Sequence, residues 1–420
     1  MWDISNFPHI HVIFGKEWND MKKNICIICV TVLCITILGI ILIKKNKVNN
    51  LENTSVVQIN IDKLQQTISE SQNYWNPDNH AVAKGMGGYY FIQTTDGISK
   101  IAFFDETTQE AVAVCAKPEC THSDNTCNAY LCDMKQTGSA LYLTDTIYCY
   151  NGYLYLIQCE GGMGKLVRIH TDGSARETIA DLFANTGVSS ISLVFHENDV
   201  YAYDDTGHAG QEEEAEEVIK KISLTDGTEQ TVFSYTGTGA SIDRGRSFGD
   251  KLYFVIREYT KNKETKAVSS DYKGLFEYDF ATGDTRKVID ADVCDYHADT
   301  ENQTLFYFVQ GTGLYAYDMT QGSNTLIYPA EDELIQCKMS YDGKNLYLFN
   351  NGAGRATETK TRIQRYCYVL DTKGNQIAKI LCNGVVYFGD TDYLFEENGD
   401  NLEYMKKENL SDKSEWILIN

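Results

Sequence analysis

The sequence predicts an all-β protein, a seven-bladed β-propeller of four-stranded blades, preceded by one N-terminal transmembrane helix. Three observations carry that expectation. Residues 25–43 contain no charged side chain. From His80 onward, short runs of alternating apolar and polar residues are broken by Gly, Asp and Asn turns. A turn–strand–strand–turn–strand unit also recurs along the chain. It reads most clearly in Asn151-Gly152-Tyr153-Leu154-Tyr155-Leu156-Ile157, Lys165-Leu166-Val167-Arg168-Ile169, Thr171-Asp172-Gly173-Ser174 and Glu177-Thr178-Ile179.

Composition narrows the possibilities before any motif is read. A hydrophobic content of 43% suffices for a packed core. The 32 glycines and four prolines fit many tight turns and few stiff linkers. Tyrosine, with 28 residues, suits half-buried strands on which the ring packs and the hydroxyl reaches water. The formal charge is −22. Six lysines against three acids leave residues 1–47 at +3, so the remainder, with 31 basic and 56 acidic residues, stands at −25. So acidic a body excludes nucleic acid and anionic lipid as partners of the main domain, and solubility is the plain reading of the charge.

Residues 1–24 form a short N-terminal tail. Met21-Lys22-Lys23-Asn24 looks like a start of its own, which would make 1–20 an upstream extension. The 25–43 run, at 1.5 Å per residue, spans about 28 Å as a helix, close to the hydrocarbon thickness of a bilayer. Lys22-Lys23 and Lys44-Lys45-Lys47 flank it. The run is longer than the apolar core of a cleaved signal peptide and lacks a small-x-small exit site, so a retained signal-anchor is expected. That layout places the large domain outside the cell membrane. Residues 44–79 read as a polar stalk, with Val56, Val57, Ile59 and Ile61 in partial alternation and Ile61, Leu64 and Ile68 at helical spacing.

The propeller domain is expected over 80–420. Its repeat anchors are Tyr90, Tyr155, Tyr201, Tyr253, Phe306, Tyr347 and Leu394, separated by 65, 46, 52, 53, 41 and 47 residues. Four short strands per unit of 40–50 residues is the propeller rhythm: each sheet has a face it cannot bury alone, and radial stacking buries it. The last unit reads as complete, so ring closure need not borrow a strand, although 56–61 could supply one.

The step of 65 is the outlier. Its excess, 115–132, holds Cys115, Cys120, His122, Cys127 and Cys132, the densest group of soft ligands in the chain. Cys115, Cys120, His122 and Cys127 could converge on one structural zinc ion of Cys3His type. A Cys120–Cys127 disulfide, permitted outside the cytoplasm, and plain free thiols are the competing readings, and spacing alone does not separate them. No third residue orients a Cys–His pair, so no catalytic residue is assigned here.

The same segment, C-x-K-P-x-C-x-H-x-D-x-x-C-N-A-Y at 115–130, resembles one in uncharacterised extracytoplasmic propeller proteins and lipoproteins of anaerobic Gram-positive bacteria, TolB-like proteins with a domain of unknown function. The chain departs from the lipoprotein members in having no Leu-Ala-Gly-Cys type box. The resemblance implies fold and extracytoplasmic location, and no activity.

Elsewhere Cys149, Cys159, Cys294, Cys337, Cys367 and Cys382 read as small apolar strand residues. Residues 211–217, with five glutamates, read as a solvated hairpin tip. Asp290, Asp292, Asp295 and Asp299 read as a scattered acidic loop without calcium-loop spacing. His170, His196, His208 and His297 have no partner at metal spacing. There is no H-E-x-x-H helix or sialidase-type Asp box. The expected function is a membrane-anchored extracytoplasmic module that binds an unidentified protein, peptide or glycan without chemistry. The alternatives are a propeller-type glycan hydrolase or lyase with axial carboxylates, and a scaffold of a cell-surface complex.

Overall fold

The computed structural model describes residues 71–115, 117–136, 140–184, 191–204, 214–261, 264, 268–331, 334, 337–350 and 364–419. The expected membrane span, 25–43, and most of the expected stalk lie outside them. Among the described residues no helix is long and apolar enough to cross a membrane.

The described residues form seven antiparallel sheets, each built from consecutive strands. Their first strands are Val82–Gly85, Leu141–Tyr150, Ile191–His196, Ser241–Phe248, Val293–Asp299, Lys338–Tyr341 and Val385–Phe388, which open blades 1 to 7. Every repeat anchor falls in the second strand of its blade: Tyr90 in Gly88–Thr95, Tyr155 in Tyr153–Glu160, and so on to Leu394 in Tyr393–Asn398. All seven anchors are buried. These strands sit inside a sheet and are packed from both sides, so burial runs continuously through Val200–Tyr203, Leu305–Phe308 and Leu346–Phe349 and each reads as a short apolar run bounded by turn residues.

Six hydrophobic clusters join the blades into a ring. They span blades 1 and 2, 2 and 3, 3 and 4, 4 to 6, 6 and 7, and finally 7 and 1. The last joins Tyr89, Phe91 and Phe104 of blade 1 to Tyr387, Phe395 and Tyr404 of blade 7. Closure is by side-chain packing, and blade 7 takes all four of its strands from 385–418.

Three elements differ from expectation. The Cys/His insertion, which the sequence places between the anchors of blades 1 and 2, belongs to the sheet of blade 1. It leaves the fourth strand of blade 1, Ala111–Ala113, and returns as Tyr130–Asp133 to pair with the third strand of that same blade. Asp295 and Asp299 do not lie in a loop but in the fully buried first strand of blade 5. In the acidic run, Glu214, Glu216 and Glu217 belong to a strand of blade 3, and Glu217 is buried.

Candidate metal centre and the filled axis

The first strand of a propeller blade has no sheet partner on its axial side, so its backbone N–H and C=O groups need other partners. The chain supplies them itself. Ser71–Tyr74 forms one 3-10 turn and runs on through Trp75 to His80, and this segment bonds to the first strands of six blades. The Gln72 amide works as a strand mimic, donating to the Phe195 carbonyl at 2.8 Å and accepting from the Phe195 N–H at 2.9 Å. Asn73 makes the same two-way pair with Ser247. Ser340 donates to the Tyr74 carbonyl, and Asn76 pairs with the backbones of Val386 and Tyr387. His297 Nε2 lies 3.2 Å from the Asn73 carbonyl. His80 stacks on Tyr148 at 3.8 Å, with Nδ1 2.7 Å from the Ile147 carbonyl. Trp75 is 1% exposed. The chain then enters the first strand of the seventh sheet contacted, at Val82.

Three of the carboxylates around this segment are paired with cations, while a fourth, Asp145 on the first strand of blade 2, accepts from the Thr146 hydroxyl and is pushed up by burial. Asp78 meets Arg244 and, at 3.0 Å, Lys338. Asp295 meets Arg246 at 2.7 Å, and Asp243 meets Arg257 at 2.9 Å. Burial pushes the Asp243 carboxyl up to about 6, against the pull of Arg257 and the Ser241 hydroxyl. Sequence reasoning missed all of these residues except Asp295, because their partners lie far away in the chain.

A cavity of about 80 Å³ at the seam between blades 7 and 1 is lined by Phe91, Gln93, Tyr387, Glu397 and Asp400. That volume suits a few waters, far below the ~300 Å³ and upward of ordinary ligand pockets. Near that seam Glu106, Asp390 and Asp392 bring carboxylate oxygens within 4.8 Å of one another. The group already holds a cation: the Lys84 ammonium binds Glu106 and lies 3.0 Å from Asp390, which also accepts from the Tyr89 hydroxyl at 2.8 Å. We read it as a lock between the first and last blades.

The sequence-predicted ligands do come together. One sulfur from each of Cys115, Cys120 and Cys127 and one ring nitrogen of His122 lie within 4.8 Å of one another. His122 Nδ1 is 3.2 Å from Cys127 Sγ. Cys132, the remaining cysteine of the insertion, is buried in the core between blades 1 and 2 and takes no part. Cys149, Cys294, Cys337, Cys367 and Cys382 are buried as well, and Cys159 is half-buried.

Local turns create the convergence. Cys115 leaves the sheet edge just after Ala113, and the Cys120 N–H closes a turn onto the Lys117 carbonyl. Glu119 and His122 adopt left-handed φ values of 59° and 55°, so the chain reverses on both sides of Cys120–Thr121. Asp124 then accepts from the Thr126 N–H at 2.9 Å, and the Cys127 N–H bonds the Asp124 carbonyl. The Lys117 ammonium ties across to the Thr126 carbonyl.

The sulfurs also meet backbone donors. The Ala129 N–H points at Cys127 Sγ at 3.3 Å. Burial disfavours a thiolate at Cys115, but the Lys117 and Asn128 N–H groups together with the Cys127 and Cys120 thiols outweigh it and bring that thiol down to about 7. At Cys127 burial wins and pushes the thiol up to about 11. Amide donors directed at sulfur favour the thiolate, the form that binds metal. A soft donor set of three sulfurs and one imidazole can therefore hold a metal ion here.

No family model matches the chain, and no curated protein matches it. A structure from a study of two prolyl endopeptidases superposes with a TM-score of 0.55 at 12% identity, over 85% of this chain and 52% of that one. The chain thus spans about half the length of that structure, and the likeness is one of fold. An oligogalacturonate lyase in complex with manganese gives 0.48 at 12% identity, over 83% and 89% of the two chains. TolB from Acinetobacter baumannii gives 0.39 at 13%, over 76% and 77%. At those scores the last two likenesses carry no argument about this chain.

Proposed function

We propose that this chain is a membrane-anchored, extracytoplasmic β-propeller that binds a protein, peptide or glycan on one of its faces and leaves it chemically unchanged. The observation that carries this reading is the filled axis. Residues 71–80 occupy the centre of the ring and use the backbone edges and charged side chains that an axial substrate would need. A propeller hydrolase needs free carboxylates around open space, with carboxyl groups about 5–9 Å apart. Here Asp78, Asp243 and Asp295 are each bound to a cationic side chain. What remains for a partner is a face built of blade-connecting loops, where propellers and other rigid scaffolds carry recognition. Anchoring and outward orientation rest on the uncharged 25–43 run and its flanking lysines.

The test is retention against turnover. The full-length chain in detergent is incubated with arrayed peptides and glycans, and both bound mass and released products are followed over time. Saturable retention of unmodified ligand supports the reading. Product that accumulates beyond one equivalent and vanishes in Asp243→Asn overturns it in favour of axial carboxylate chemistry. Recovery of a single stoichiometric protein partner, with no small-ligand retention, favours the scaffold reading.

A further inference from the structure

We propose that Cys115, Cys120, His122 and Cys127 bind one zinc ion in a closed tetrahedral site that clasps the outer edge of blade 1 to blade 2. The assignment begins with distance. Tetrahedral zinc at about 2.3 Å from each sulfur sets sulfurs roughly 3.8 Å apart. The four ligand atoms already lie within 4.8 Å of one another, so adjustments of an ångström or less close the site.

Chemistry selects the ion. Three sulfurs and an imidazole suit zinc, whereas magnesium, calcium and manganese prefer oxygen. Binding is a ligand exchange without redox change: three thiols release three protons to solvent, the imidazole enters neutral, and Zn²⁺ takes four bonds. The resulting charge of −1 is met within the loop by Lys117, whose ammonium is held across it by the Thr126 carbonyl. The Ala129 N–H remains on Cys127 as an outer-shell donor. All four coordination positions come from the protein, so no position stays open for substrate and the role is structural.

The clasp follows from what surrounds the loop. Arg176 of blade 2 donates to the Asn128 carbonyl, one residue beyond the last ligand. Gly173, at φ +81°, sits so close that a Cβ there would lie 2.5 Å from the Val114 carbonyl and 3.1 Å from Asn128. The Tyr90 hydroxyl of blade 1 donates to the Thr171 carbonyl of the same turn at 3.3 Å. The ligand loop and the 171–176 turn are thus seated on each other, and a metal that fixes the loop fixes that contact.

The experiment uses the full-length chain purified in detergent without chelator or reductant. Metal content and free thiols are measured on the same sample, and cobalt(II) is exchanged in as a spectroscopic probe. One zinc per chain is expected, with thiolate-to-cobalt charge-transfer absorption after exchange. Cys120→Ser should drop the metal content below about a tenth. His122→Cys should keep the metal and shift the cobalt spectrum toward a four-sulfur site, a result that a merely unfolded variant cannot give. Cys149→Ser, a buried thiol of blade 2, should leave the stoichiometry unchanged. A chain that takes up neither zinc nor cobalt overturns the proposal. So does a thiol count two short with a Cys120–Cys127 linked peptide.

Discussion

Arg246 and Asp295 meet at 2.7 Å across the boundary of blades 4 and 5, with the two residues 2% and 0% exposed. The same guanidinium donates to the Tyr296 and Met339 carbonyls, and the same carboxylate accepts from the Met339 N–H at 2.8 Å. Two side chains therefore stitch the inner strands of blades 4, 5 and 6.

Removing one partner of this pair should be worse than removing both. Asp295→Ala leaves a buried guanidinium uncompensated and should cost about 3–5 kcal/mol. Replacing both with apolar residues of similar volume should recover only part of that loss: neither charge then has to be desolvated, but the Tyr296 and Met339 backbone groups lose their side-chain partners. Denaturant unfolding of both variants checks the order.

Trp75→Ala should cost about 3–5 kcal/mol, because the indole is the largest buried side chain of the axial segment and packs on Tyr89 and Phe395. Hydrogen exchange should speed up first in the second strands of blades 7 and 1, where those contacts lie. Unchanged protection there would show that the segment is not part of the ring's core.

Two buried groups should tilt stability in opposite directions with pH. Burial pushes Glu396 up to about 7 from an ordinary 4.5, partly offset by the Asn383 and Gly384 N–H groups. The folded state then holds its proton where the unfolded state has lost it, so stability falls as pH rises from about 4.5 through 7. Glu396→Gln should remove that fall, worth up to about 3 kcal/mol. Burial lowers His80 to about 4 from 6.5, so the unfolded state protonates first and stability falls as pH drops from 6.5 through 4. Unfolding midpoints at pH 4, 5.5 and 7.5 for wild type, Glu396→Gln and His80→Gln separate the two slopes.

Lys84→Met should weaken ring closure, since it strands Asp390 and Glu106 at the seam of blades 1 and 7. The site is partly open to solvent, so the cost should be about 1–3 kcal/mol, below that of a sealed pair. Faster exchange confined to 82–113 and 385–418 is the expected signature, and an even increase around the ring would refute it.

The propeller was legible because its signal is local and repeated. Tyr155, Tyr201 and Tyr347 each stand in a strand whose apolar run and turn can be read within ten residues. The metal-ligand set was legible for the same reason: Cys115 to Cys127 is one short segment, and local turns bring it together. The Asp292–Asp299 region misled because acidic spacing resembles a loop until the buried cations that neutralise it are known. Arg246 stands 49 residues before Asp295.

The sequence by itself determined the number of blades, the strand that anchors each and the residues of the Cys/His cluster. It could not say that residues 71–80 are the hub of the ring. That segment has no periodicity, and its hydrogen-bond partners on the blades lie from 67 to 311 residues away. Gln72, Asn73 and Asn76 read as stalk polarity until seven sheets place unpaired strand edges around them. Only the closed ring creates that demand for hydrogen bonds, and only the tertiary structure shows which side chains meet it.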